Sequence, residues 1–117
     1  MHELVLRFMV FSRQLYLGNG IKHPALIKHK LRCRRLSRGT FVLRIAENDT
    51  DYLEILDASY YLQPLAHLEK NYIVGFAASY EEALELVKKM LQDSLEETGE
   101  ANLRAYLMSR NRREVPT

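Results

Sequence analysis

The chain has 117 residues, 47% apolar and 27% charged, which is ordinary globular composition and long enough for one domain with a buried core. Its formal charge of +2 conceals three unlike blocks: residues 1–46 carry ten Lys and Arg against Glu3, residues 47–100 three against thirteen acids, and residues 101–117 four against Glu114, giving +9, −10 and +3. No apolar run reaches the roughly 18 residues of a membrane helix, the single Cys33 excludes an internal disulfide, and residues 4–11 make a poor export signal behind Glu3, so a cytoplasmic protein is expected.

Leu4, Val5, Phe8, Met9, Phe11, Leu15 and Tyr16 recur at spacings of three and four, which predicts a helix over residues 3–17 stopped by Gly18-Asn19-Gly20. A strand over residues 4–11 is the alternative, because that run is apolar nearly throughout. From Ile27 to Cys33 apolar or neutral residues alternate with Lys28, Lys30, Arg32 and Arg34, the period of a strand that projects all four cations together. The same residues also fit a helix opened by Pro24, with Ile27 and Leu31 four apart, which would scatter those charges around a cylinder.

TFVLRIA at residues 40–46 alternates clearly, Asn48 to Asp51 supply turn chemistry, and Leu53 and Ile55 then stand opposite Glu54. An antiparallel hairpin over residues 40–57 follows, with Arg44 facing Glu54 across it. Pro64 discourages a helix through Gln63 and opens at most a short helical turn over residues 65–68. YIVGFAA at residues 72–78 is apolar on both faces, as a central strand would be, and Gly75 admits a close neighbour. Ser79 with Glu82 three residues later forms a capping box, and Ala83, Leu84, Val87, Leu91 and Leu95 draw one stripe along a helix of residues 80–97 closed by Gly99. A short helix over residues 101–108 precedes a flexible basic tail, residues 109–117.

These elements predict an α+β fold: a small, mainly antiparallel sheet of the 40–57 hairpin and the 72–78 strand, covered on one face by the 80–97 helix. One domain over residues 1–108 is expected. Leu84, Val87 and Leu91 are expected to anchor the helix, each contributing about 1.5 to 3 kcal/mol if fully buried.

The basic tract of Lys28, Lys30, Arg32, Arg34, Arg35 and Arg38, preceded by Lys22, is the candidate site for nucleic-acid phosphates. The competing explanation is that the cationic block folds against the acidic one as solvated pairs, each worth about 0 to 1 kcal/mol. The cluster of Tyr52, Tyr60, Tyr61, Tyr72 and Tyr80 reads as half-buried sheet residues. Cys33 reads as a buried structural thiol pointing away from Arg32 and Arg34. His29 and Cys33 lack the further ligands a zinc site needs, so no metal and no cofactor are expected. GNG at residue 18 lacks the remainder of a dinucleotide loop, no P-loop or nucleophile elbow occurs, and Glu81, Glu82 and Glu85 are explained by helix capping, so no catalytic residues are assigned.

From Arg38-Gly39 onward, RGTFVLRIAEN, LEIL, Gln63-Pro64, YIVGFAASYEEALELVKKML and TGEANLRAYL together resemble small bacterial proteins of unknown function. The resemblance implies an αβ domain and supplies no activity, ligand or catalytic residue; residues 1–27 depart from it and read as a variable extension. The leading functional expectation is a non-catalytic module that self-associates or docks to another protein through an edge or face of its sheet. Accessory nucleic-acid binding through the basic tract is the alternative.

Overall fold

The computed structural model describes residues 9–35, 39–45, 53–64, 66 and 71–113, the last four of these by backbone alone. Among them are four strands, β1 (Met9–Leu17), β2 (Phe41–Ile45), β3 (Glu54–Asp57) and β4 (Asn71–Ala77). Three helices accompany them, α1 (Pro24–Arg32), α2 (Tyr80–Thr98) and α3 (Leu103–Arg113), with a 3-10 turn at Ala58–Leu62. The fold is α+β, as expected.

The strands form one mixed sheet in the order β1-β4-β2-β3. β2 pairs antiparallel with β3, setting Arg44 opposite Glu54, and antiparallel with β4; β1 runs parallel to β4 along the outer edge. The hairpin, the central strand and the long helix stand where their local chemistry puts them. Ser79 Oγ accepts from the Glu82 N–H at 3.1 Å, and Gly99, at φ 77°, closes α2 with its N–H on the Leu95 carbonyl at 3.0 Å.

The N-terminal helix is not formed over the described part of residues 3–17: Met9 to Leu17 is a strand, and residues 1–8 lie outside the described residues. Its helix-like spacing has a physical origin in an irregular register. Phe11 pairs with Ile73 and Tyr16 with Gly75, so residues 12–15 stand opposite Val74 alone. That insertion breaks the period of two, and the inward residues Met9, Phe11, Leu15 and Tyr16 mimic a helical stripe. Gly75 is required where the irregularity ends, because a Cβ there would lie 2.7 Å from the Tyr16 carbonyl oxygen.

The sheet is covered on both faces rather than one. Val42, Ile73 and Phe76 pack with Leu31 of α1, Ala58 and Tyr61 of the 3-10 turn, and Met9. Leu43, Ile45, Val74 and Ala77 pack on the other side with Ala83, Leu86 and Met90 of α2 and Leu103, Tyr106 and Leu107 of α3. Adjacent strand residues point to opposite faces, so Val42 and Leu43 alone place α1 and α2 on opposite sides of the sheet.

Glu82 ties the two ends of this arrangement together. Its carboxylate accepts the Ala78 N–H at 2.7 Å and the Gly20 N–H at 3.0 Å, pinning the turn after β1 to the start of α2. A Cβ at Gly18 would collide with that carboxylate, so GNG serves as the seat of Glu82.

Candidate binding surfaces

Residues 24–32 are a helix, which settles the two readings of that segment. Ile27 and Leu31 face the sheet, Lys28 and Arg32 share one flank at a spacing of four, and Lys30 stands on the other. The four cations therefore do not project as one strand face. The chain after α1 closes through Arg34, the one non-glycine residue with positive φ (55°) among the described residues. Its N–H donates to Leu31 O at 3.2 Å, and the Arg35 N–H reaches Lys30 O at 2.9 Å. This is a Schellman closure with arginine where glycine is usual.

Arg32, Arg34 and Arg35 are exposed, and Lys28 and Lys30 are half-buried. Arg38 lies outside the described residues. The Lys28 ammonium and the Arg32 guanidinium lie 5.6 and 4.8 Å from the centre of the Phe11 ring, so both cations stand against that ring. Among the described residues none of Lys22, Lys28, Lys30, Arg32, Arg34 and Arg35 forms an ion pair. The described part of the tract does not fold against the acidic helix: Glu81, Glu82, Glu85, Glu96 and Glu97 sit on α2, across the sheet.

Cys33 is exposed, which corrects the expectation of a buried thiol. As the residue that ends α1 it has no inward-facing position; its sulfur lies 3.7 Å from His29 Nε2. No group of three or more His, Cys, Asp or Glu converges among the described residues. An open concavity of about 490 Å³ lies between β1 and α1, lined by Arg13, Gln14, Leu15, Leu17, Pro24, Ala25 and Lys28.

Beneath the sheet, on the α1 side, one polar network is enclosed. Arg44 Nε donates to Glu54 at 2.7 Å, and its Nη1 donates to Asn71 Oδ1 at 2.6 Å. That oxygen also accepts from the Tyr61 hydroxyl at 2.8 Å, while Asn71 Nδ2 donates to the Ala66 carbonyl at 3.1 Å. The Tyr60 ring lies 5.3 Å from the Arg44 guanidinium. A satisfied network of this kind locks the hairpin to β4 and presents no unengaged reactive group.

The second surface differs from the sequence expectation that Leu84, Val87 and Leu91 anchor the helix. The line of α2 that seats on the sheet is Ala83, Leu86, Met90 and Ser94, whereas Val87 and Leu91 are half-buried and Leu84 and Leu95 are 42% and 51% exposed. Leu84 and Leu95 stand on the flank of that buried line. Tyr80, 52% exposed, meets the Phe41 ring edge-on at 6.0 Å. Phe41, Leu53 and Ile55, on the same sheet face, are only partly covered, because α3 packs toward β1 at the opposite edge. Among the described residues a partly covered apolar strip thus runs from Tyr80 and Leu84 to the β3 edge.

In comparison with known proteins, no family model, no curated protein and no solved structure matches the chain. Among the described residues no helix is long and apolar enough to cross a membrane.

Proposed function

We propose that the chain is a non-catalytic interaction module that pairs with a second copy of itself through the β3 edge and the uncovered flank of α2, in the cytoplasm. The observation that carries this reading is the exposure of Tyr80, Leu84 and Leu95 beside the half-covered Phe41, Leu53 and Ile55. Among the described residues β3 ends the sheet, and its outer edge offers backbone donors and acceptors to a partner strand. Tyr80, Leu84, Val87 and Leu91 also recur at the spacings of four, three and four that suit a helix seam. In a two-fold antiparallel pairing about a point between Val87 and Lys88, Leu84 meets Leu91 and Tyr80 meets Leu95, so the seam is self-complementary. An exposed thiol at Cys33 suits a reducing compartment.

Covering the exposed half of each of these side chains contributes about 1 kcal/mol apiece. Set against the cost of association, that yields a weak, concentration-dependent dimer. Sedimentation velocity over a roughly hundredfold concentration range tests it, with wild type shifting toward dimer by mass action. Leu84→Glu should keep the fold, because Leu84 is exposed, and stay monomeric. A monomer at every concentration, or an unchanged dimer in Leu84→Glu, overturns the reading.

A further inference from the structure

We propose that the basic face built on α1 is a separate binding site for the phosphodiester backbone of a nucleic-acid duplex. Lys22, Lys28, Lys30, Arg32, Arg34 and Arg35 carry six positive charges on α1 and its flanking turns, with no ion-pair partner among the described residues. α1 itself contains no acid, and Glu54, on the same sheet face, is occupied by Arg44.

The negative end of the helix dipole favours cations in its last turn, where Lys30 and Arg32 stand. It does not account for Arg34 and Arg35 beyond that turn or for Lys22 and Lys28 before it. Arg34 occupies a left-handed position that glycine would fill without steric cost, so arginine is held there against its backbone preference.

A dispersed array suits a repeating polyanion better than one small anion, and three arginines can grip phosphate oxygens bidentately. The Phe11 face is already taken by Lys28 and Arg32, and Tyr60 lies against Arg44, so neither ring offers a platform for unpaired bases. Contact with the backbone of a duplex remains, without base readout. Leu26 is the one large apolar side chain that α1 exposes, too little to seat the helix in a bilayer surface.

The test is fluorescence anisotropy with labelled DNA and RNA duplexes of about 20 base pairs; about four neutralised phosphates predict a loss of roughly a hundredfold in affinity between about 50 and 200 mM salt. A Lys30→Glu/Arg34→Glu/Arg35→Glu variant should lose binding, and Lys88→Gln/Lys89→Gln, on the opposite helix, should retain it. Arg34→Gly should lower the salt slope by about one while raising the melting temperature, a combination that misfolding cannot produce. Leu84→Glu should bind as wild type does, which separates this site from self-association. No binding to either duplex at low salt, undiminished binding by the triple variant, or capture by anionic vesicles without duplex binding overturns the proposal.

Discussion

Tyr72 gives the sharpest check on the packing of the sheet. It sits on β4 opposite Ile45 and Val10, with its ring toward α2 and its hydroxyl oxygen buried without a hydrogen-bond partner among the described residues. Ser12 lies beside it, yet the Ser12 hydroxyl is engaged locally, donating to the Gln14 carbonyl at 3.4 Å and accepting the Gln14 N–H at 3.3 Å within the β1 irregularity. Burial pushes the Tyr72 phenol above its ordinary value of 10.0, and the Ser12 hydroxyl, turned from Gln14 to donate to the ionised oxygen, offsets part of that rise. An unpaired buried hydroxyl costs about 1 to 3 kcal/mol. Tyr72→Phe keeps the ring and removes that cost, so the variant should gain about 1 kcal/mol, or about 4 °C in melting temperature for a chain of this size.

The pH dependence has a defined sign. Because the folded-state value lies above the unfolded one, the stability tied to the neutral phenol is fully present below pH 10 and is lost as pH rises through the folded value, when the unfolded chain releases the proton first. The advantage of Tyr72→Phe over wild type in urea titrations should therefore widen above about pH 10, since all other titrating groups are shared. A variant less stable than wild type by more than about 0.5 kcal/mol at pH 7 would show that the hydroxyl is bonded. So would a gap that narrows at high pH.

Glu82→Ala removes the acceptor of the Ala78 and Gly20 amides and a charge at the start of α2, and should cost about 2 kcal/mol in chemical denaturation, with Glu82→Gln costing less. Asn71→Ala leaves Arg44 and Tyr61 each short of a buried partner and should cost about 3 kcal/mol by the same assay. Gly75→Ala sets a methyl against the Tyr16 carbonyl, and should raise amide exchange in β1 more than in β3.

What was legible in the sequence was what short-range chemistry decides. Ser79, Glu82 and Gly99 bound α2 because their caps lie within a turn of the helix ends, and the Arg44–Glu54 pair follows from the register of a single hairpin. The spacing over residues 3–17 favours a helix over the strand alternative because the departure of β1 from alternation is imposed by β4, some sixty residues away in the chain. The segment of α1 is ambiguous in sequence because alternating charges from Ile27 to Cys33 and the four-residue spacing of Ile27 and Leu31 overlap; Pro24 and the Arg34 closure agree with the helix. The apolar stripe of α2 is visible in the sequence, but not which edge of it meets the sheet, since that depends on how the helix is rotated on strands distant in the chain. The openness of the basic tract was equally hidden: it follows from packing α1 and α2 on opposite faces.

Hydrogen–deuterium exchange at low and high protein concentration tests most directly whether the β3 edge and α2 flank form the contact between copies. Slower exchange confined to β3 and α2 as concentration rises, with α1 unchanged, is the expected result. Protection that appears on α1 instead, or exchange that ignores concentration throughout, would contradict it.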